Sequence, residues 1–379
     1  MTQSKIAPKF VNTDPNFANT LRKRVNAYFS ENNKSTHADT KMVLKTIFYL
    51  TLWLGSYTLL LTLNLNFITM FLLWCAWGFG FSAACVNIGH DAIHGSYSKK
   101  KWVNNLLSHT FNLSGASAYL WSQMHNVAHH TFTNIHEHDE DVTPAPILRL
   151  SPDSELKSVH KNQHWYCFLL YPLASLSWII KKDFIKFFEN SVANYNNRVH
   201  PKSEVIKLFL YKAISYTLFI IVPFVFIDMP FWQKLISFLC GHFIAGFYIA
   251  IIFMLAHAVE EVGFPKESDM GTIENTWFIH QLETTANFST EGKLAAFISG
   301  GLNQQVEHHL FPNICSTHYP DLSHIVRETA KEFNVVYLEH PTFLSAVKSH
   351  LRFLKKLGNS ASYEAKSTIE ADKQVPLVA

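Results

Sequence analysis

Four apolar stretches, each about 20 residues long, constrain the fold of this chain more than any other feature. They cover about Met42 to Leu63, Phe67 to Ile88, Val205 to Ile227 and Phe231 to Val259. A helix needs about 20 predominantly apolar residues to cross the hydrocarbon core of a bilayer. Short turns at residues 64–66 and 228–230 join the stretches in two pairs. The sequence therefore predicts an all-α integral membrane protein with four transmembrane helices in two hairpins.

The overall composition supports a membrane location. Hydrophobic residues make up 48% of the 379 residues, and charged residues only 16%, against roughly 25% in an ordinary soluble domain. The chain is rich in aromatic residues, with 31 Phe, 14 Tyr and 9 Trp. Such residues are typical of the aromatic belts at bilayer interfaces. The net charge of +3 is too small to indicate a nucleic-acid partner.

Lysine and arginine predict the orientation of the spans. The two short turns carry none, whereas basic residues collect at the opposite ends of the stretches. They are Lys41, Lys45, Lys99 to Lys101, Lys181, Lys182, Lys186, Arg352, Lys355 and Lys356. Positive charge marks the cytosolic side. We therefore expect a multi-pass protein with both termini and the long middle segment in the cytosol.

Three parts follow along the chain: a cytosolic N-terminal arm (1–40), one membrane domain (41–348) and a basic, then disordered C-terminal tail (349–379), polar from about Leu357 onward. Two shorter apolar runs, Leu106 to Trp121 and Trp165 to Ile180, predict interfacial helices on the cytosolic leaflet; additional spans are the alternative. The five cysteines form no CxxC pair, so we expect them to be reduced.

Three histidine clusters carry the chemistry: HDAIH at residues 90–94, HNVAHH at 125–130 and QVEHH at 305–309. Residues four apart share a helix face, so each cluster can direct two side chains at one point. The predicted orientation places all three clusters, here called boxes 1, 2 and 3, on the cytosolic side. A lone HxxxH pair is compatible with ordinary surface histidines. Seven histidines in three boxes beside apolar spans favour a metal site, since neutral imidazole is a common metal ligand.

The boxes, in this order and separated by paired spans, resemble those of the membrane fatty acid desaturase family. The resemblance covers roughly Lys41 to Lys348. Gln305, which opens box 3, and the segment WFIHQLETTANFS at 277–289 are similar to the front-end desaturases. These enzymes insert a double bond between an existing one and the carboxyl end of the acyl chain.

The resemblance implies an all-helical membrane fold with a cytosolic cap holding a di-iron site, and O2 as the co-substrate. The implied metal ligands are His90, His94, His125, His129, His130, His257, His308 and His309. The last helical span ends near His257, where the family places an additional ligand. Gln305, Asp91 and His280 are candidates for the first layer around the metal or the layer behind it.

Other polar residues near the boxes have less defined roles. Asp139, Asp141 and Glu307 fit either a layer that orients the ligand imidazoles or, for the two aspartates, a solvated loop. His136 and His138 are predicted to be surface residues. His242 lies in the middle of a span and is predicted to hydrogen-bond across helices; His109 has no predicted role.

The resemblance also implies the partners. The substrate is a fatty acyl-CoA or acyl-lipid in the lipid bilayer. Many front-end desaturases carry a fused cytochrome b5 domain with a His-Pro-Gly-Gly haem motif. Here His200-Pro201 and His340-Pro341 are not followed by two glycines. Electrons are therefore expected from a separate donor, ferredoxin or cytochrome b5 with its reductase. A hydroxylase on the same di-iron scaffold stays open as an alternative. A metal-binding membrane protein without catalysis, such as a transporter, is disfavoured because transporters place ionisable groups near the bilayer midplane.

Overall fold

The computed structural model describes residues 7–11, 15–142, 146–189, 191–192, 195–196 and 200–360. The helices are α1 (Asn16–Glu31), α2 (Thr40–Thr62), α3 (Phe67–Ile93), α4 (Lys101–Leu113), α5 (118–132), α6 (Gln163–Leu170), α7 (173–188), α8 (Lys202–Phe226), α9 (Phe231–His257), α10 (Trp277–Thr284), α11 (Lys293–Ile298), α12 (Gln305–Leu310), α13 (Tyr319–Glu332) and α14 (Phe343–Asn359). Single 3₁₀ turns occur at Glu140–Val142, Ser158–Asn162 and Ser316–His318.

The strands are short and form three separate pairs. β1 (Lys9–Phe10) pairs in parallel with β4 (Thr272–Ile273), and β2 (Ser191–Val192) pairs antiparallel with β3 (Tyr195–Asn196). β5 (Ala286–Phe288) pairs in parallel with β6 (Leu338–His340). These pairs tie the loops of a mostly helical protein together.

Four helices in the described part of the chain, α2, α3, α8 and α9, are long and apolar enough to cross a membrane. This confirms the four predicted spans. The first two begin at side-chain caps: Asp39 accepts a hydrogen bond from Met42 N, and Asn66 accepts one from Thr69 N, both at 2.9 Å. Such caps satisfy amide groups that the first helical turn leaves without partners.

Glycines allow the spans to approach closely. A Cβ atom added to Gly80 of α3 would lie 2.8 Å from the backbone nitrogen of Trp53 in α2. A Cβ atom added to Gly78 would lie 2.0 Å from the carbonyl oxygen of Gly241 in α9. Small residues at such crossings let helix backbones pack directly in a membrane. Helix α3 is therefore the centre of the bundle, between α2 and α9.

The second pair of spans packs differently from the first. Lys234, near the start of α9, donates to the carbonyls of Phe224 and Ile227 at the end of α8. Beyond this turn, α9 packs mainly against α3 and α7. Helices α2 and α3 pack closely against each other, but α8 and α9 do not pack in the same way. The predicted arrangement in two hairpins is therefore not confirmed.

The two predicted interfacial runs are broken helices. Residues 114–117 separate α4 from α5, and Pro172 separates α6 from α7. Among the described residues, none of these four helices has the length and apolar character of a span. All five cysteines are free thiols, as predicted.

The chain ends pack onto the rest of the fold. Helix α1 shares a hydrophobic core with α10, α12 and α13. Helix α14 runs through residue 348 without a break to Asn359, with Phe353 and Leu357 buried in the main core. The buried Arg149 donates to the carbonyls of Leu357 and Ser360 at 2.6 and 2.9 Å. The prediction of a tail from Leu357 was therefore wrong for its first residues, and residues 361–379 lie outside the described part.

Candidate metal centre

Boxes 1 and 2 are carried on widened helical turns. A π-helical turn at Cys85–Gly89 in α3 immediately precedes box 1, and a second at Gln123–His129 in α5 contains most of box 2. Such insertions change which side chains share a helix face and are frequent at functional sites. Box 3 lies on the short helix α12. His257 is the last residue of α9, so α3 and α9 deliver their histidines at the same end of the bundle.

All eight predicted ligand histidines converge. Their ring nitrogens fall into groups whose members lie within 4.8 Å of one another. The groups are His90, His94, His125 and His308; His129, His257 and His309; His130, His308 and His309; and His125, His129 and Asp141. The first two groups share no residue, and His130 lies between them. The overlapping groups form one continuous cluster that could hold metal.

The ring nitrogens point at one another rather than at ordinary hydrogen-bond partners. His130 Nε2 lies 3.1 Å from His125 Nε2 and 2.9 Å from His308 Nε2. The Nε2 atoms of His94, His129 and His309 are buried and have no partner among the described residues. Buried polar atoms are normally hydrogen-bonded. A donor set made mainly of imidazoles, with orphaned nitrogens, fits a transition-metal centre, and iron is among the metals that imidazole suits.

Four of these histidines have the opposite ring nitrogen, Nδ1, held by a partner on another segment, whereas the Nδ1 atoms of His90 and His130 have no hydrogen-bond partner among the described residues. His129 Nδ1 donates to Asp139 Oδ2 at 2.9 Å, and His309 Nδ1 donates to Gln281 Oε1 at 2.8 Å. His257 Nδ1 donates more weakly to Thr284 O at 3.3 Å, and His308 Nδ1 lies 3.2 Å from Tyr319 Oη. A proton held on Nδ1 leaves the Nε2 lone pair for a metal. For His129, His257 and His309, these acceptors favour the tautomer with the proton on Nδ1.

Burial also favours the neutral, metal-binding form of most of these imidazoles. Desolvation, with repulsion from neighbouring histidines, lowers the pKa of five of them well below the ordinary histidine value: His94, His125, His130, His308 and His309. For His129, burial opposes protonation, but the Asp139 carboxylate outweighs it and raises the pKa. Asp139 therefore supplies negative charge directly behind one ligand.

The structure also places the three less certain candidates. Asp91 Oδ2 accepts hydrogen bonds from Ser316 N and Oγ, both at 2.9 Å, so box 1 is tied to the loop after box 3. Gln305 Nε2 lies 3.1 Å from His257 Nε2, which places this side chain beside the second group of ligands. His280 is fully buried, but it belongs to none of the metal-binding groups found in the described residues.

Several neighbouring residues differ from the sequence predictions. His138 was predicted at the surface but is buried and bonds Glu267, which is 129 residues away along the chain; His136 is partly exposed. Asp139 is buried behind His129, so the solvated-loop alternative is excluded for it. Glu307 bonds Asn287 and Tyr337 rather than a histidine. The predicted cross-helix bond of His242 is confirmed, to Ser175 Oγ at 2.7 Å.

Two cavities border the histidines. A polar cavity of about 460 Å³ has Ala92 and Ile93, between the two histidines of box 1, in one wall. Its other lining residues include Asn104, Ser108, His109, Asn112, Tyr211 and Lys212. A narrow apolar slot of about 30 Å³ runs past His90 between α3, α5, α7 and α9. Ala116 lines both cavities, so they lie on either side of the turn that joins α4 to α5.

The comparisons with known proteins agree with this geometry. Residues 66–341 match the fatty acid desaturase family. The chain is 35% identical to the sn-1 linoleoyl-lipid 6-desaturase of Arthrospira platensis, over 90% of this chain and 92% of that protein. It is 32% identical to the Synechocystis enzyme of the same name, over 91% and 96%. An acyl-lipid (8-3)-desaturase of Physcomitrium patens is 33% identical, over 89% and 71%.

The match covers both spans that carry box 1 and His257, as well as boxes 2 and 3. It therefore includes every histidine of the candidate metal centre, and the similarity to whole desaturases extends over nearly the full chain. The chain belongs to the fatty acid desaturase family and is an oxidoreductase that acts on fatty acids.

Proposed function

We propose that this desaturase is a di-iron, O2-dependent enzyme of the front-end type. The observation that carries the proposal is the convergence of eight imidazoles, seven of them on buried residues and several with an orphaned Nε2 atom. One iron would be held by His90, His94, His125 and His308, and the other by His129, His257 and His309, with His130 between them. Gln305, next to His257, would contact the second iron through its carbonyl oxygen or hold a water on it.

Bound iron would supply the activation of O2 that hydrogen removal from an unactivated methylene requires, because no side-chain acid or base can perform that oxidation. In the balanced reaction, the acyl chain loses two hydrogens from adjacent carbons and gains a C=C bond. These two hydrogens combine with O2, two electrons and two protons to give two molecules of water. The protein's own contribution is to hold the ligands, position one C–C bond and exclude water.

Trp121 and Phe253 carry out part of that exclusion. The Trp121 ring stacks on His125 with centroids 4.1 Å apart, and Phe253 lies edge-on to the same imidazole at 6.0 Å. Both residues line the apolar slot. An acyl chain in the slot would pass directly beside His90 and replace water there with methylene groups.

The polar cavity supports the front-end position of the new double bond. It directly borders box 1. A lipid headgroup bound there would leave few methylene groups between the carbonyl carbon of the acyl chain and the metal centre. That geometry favours a double bond near the carboxyl end. The names of the relatives, which are acyl-lipid desaturases, favour a lipid carrier over coenzyme A.

Electron donor and orientation complete the proposal. A separate carrier, ferredoxin or cytochrome b5 with its reductase, would deliver two electrons for each double bond. The metal centre and both termini would face the cytosol, because the basic flanks lie at the box end of the spans. Lys99 to Lys101, which follow box 1 at the start of α4, are exposed and are suited to the anionic leaflet surface.

The test is the fatty acid profile of a host that expresses the chain and is fed mono- and di-unsaturated acids. Mass spectrometry with double-bond localisation, run beside the His308→Ala variant, reads the product. A new double bond on the carboxyl side of the existing one, absent from the variant, is the expected result. A hydroxylated product would establish the alternative chemistry, and an unchanged profile with a competent donor present would refute the proposal.

A further inference from the structure

A buried ion pair lies where α7 meets α8. Lys212 Nζ is 3.0 Å from Asp183 Oδ2, and the two side chains are 4% and 0% exposed. Lys212 belongs to the candidate span α8. An ionisable residue within a span is costly unless it has a partner and a role. The metal centre does not include either residue.

The pair holds backbone atoms of two segments in place. Lys212 Nζ donates to Gly115 O at 2.6 Å and to Ile179 O at 2.9 Å. Asp183 Oδ2 accepts a hydrogen bond from Ser117 N at 2.8 Å. The turn between α4 and α5 is therefore fixed at two points by charged groups, and the same lysine fixes α7. Charge-assisted hydrogen bonds of this kind are about twice as strong as neutral ones.

These segments form the junction of the two cavities. Gly115, Ala116 and Ser117 line the polar cavity, while Ala116 and Ile179 line the apolar slot. There is no spare room at this junction. A Cβ atom added to Gly115, whose φ is +90°, would lie 2.9 Å from Ile179 Cγ2. The position of the turn thus affects the shape of both cavities where they share Ala116.

We propose that the Lys212–Asp183 pair is a positioning element that sets how deeply the acyl chain enters, and therefore which C–C bond lies at the metal centre. Neither residue needs to touch the reacting carbons. They act through the turn 114–117, which lies between the polar cavity and the apolar slot. The inference rests on the proposed function, since it concerns the regioselectivity of that reaction. A displacement of about 1 Å in such a wall can cost roughly 100-fold in rate at one position.

The test is the position of the new double bond in the product of a double variant, Lys212→Met with Asp183→Asn. Removing both charges together avoids a buried unpaired charge, which would be strongly destabilising. The expected result is a change from one product to a mixture with double bonds at neighbouring positions, together with a raised KM, while iron content per chain stays at the wild-type level. The single variant Lys212→Arg keeps the charge opposite Asp183, and it should still make mostly the wild-type product.

Lys234→Met is the matched control. Lys234 also donates from Nζ to two backbone carbonyls, Phe224 O and Ile227 O, but at the end of the spans away from the histidines. We expect this variant to keep the single product even if its yield falls. Gly115→Ala tests the same wall without altering the ion pair, and should shift the product as the double variant does.

The outcomes separate the two proposals. If the wild type makes no double bond, the proposed function fails. If the wild type is active but the double variant and Gly115→Ala only reduce the yield, with the double bond at its original position, the pair is merely structural and this inference fails. Should the double variant not accumulate, the Gly115→Ala product decides in the same way.

Discussion

Asp139 Oδ2 accepts a hydrogen bond from His129 Nδ1 at 2.9 Å, inside the protein and ten residues further along the chain. The same oxygen accepts a second hydrogen bond from Asn134 N. Asn134 in turn donates to His257 O at 3.0 Å. One carboxylate thus orients a ligand of box 2 and, through Asn134, connects it to the end of α9. This part of the outer layer therefore connects two of the candidate ligands, His129 and His257.

Asp139→Asn should weaken metal binding while leaving the fold intact. Partners of this kind typically contribute about 10- to 100-fold to metal affinity, because they fix the tautomer and basicity of the ligand. The measurement is iron retained per chain during titration with a chelator. Asp153→Asn, which removes a carboxylate paired with the exposed Lys266, is the control. Equal iron retention in the two variants would show that Asp139 has no such role.

His129→Ala and His308→Ala should each abolish desaturation while the protein still inserts into the membrane. Each removes a nitrogen from a different metal-binding group. His324→Ala, at an exposed position on α13, is the matched control and should keep wild-type activity. Membrane fractionation and product analysis on the same samples make the comparison. Full activity in either ligand variant would rule out the assignment of that residue.

Gln305→His should retain iron and part of the activity, because an imidazole can occupy the place of the amide beside His257. Gln305→Leu should lose more, since it leaves that place without any polar group. Turnover per iron atom is the quantity to compare. A leucine variant with wild-type turnover would mean that Gln305 makes no contact of consequence with the metal centre.

Gly78→Ala should destabilise the bundle, whereas Gly55→Ala should not. A Cβ atom at position 78 would overlap the backbone of Gly241, but one at position 55 meets only Thr51 Cγ2, at 3.9 Å. Overpacking of this kind costs about 1–3 kcal/mol. Thermal unfolding of the two variants in the same detergent checks it. Equal Tm values would show that the α3–α9 crossing can relax.

The sequence predicted those parts of the site that depend on local spacing. The i, i+4 spacing of His90 and His94 predicted that these two side chains share a group. It did not predict that the π-helical turn of box 2 brings His130, five residues after His125, within 3.1 Å of it. The outer layer was not predictable in this way. Gln281 and Tyr319 reach His309 and His308 from other elements. The segment 277–289 drew attention to the neighbourhood of Gln281, but local spacing did not predict its contact with His309.

The errors have the same origin. His138 lies in a run of charged residues that reads as a surface loop, yet the distant Glu267 covers it. Helix α14 continues beyond Leu357, and the buried Arg149, more than 200 residues earlier, binds the carbonyls of Leu357 and Ser360 at its end. Hydropathy predicted four spans and their ends closely. It carried no information on which spans cross, because that depends on glycines at single positions of α3 and α9.

The most direct test of the central claim is the metal content of the purified protein. Inductively coupled plasma mass spectrometry, with protein quantified by amino-acid analysis, should give two iron atoms per chain for the wild type and less for His257→Ala, which removes a ligand of the second group. A wild-type protein with full desaturase activity and one iron, or another metal in its place, would contradict the two-site arrangement.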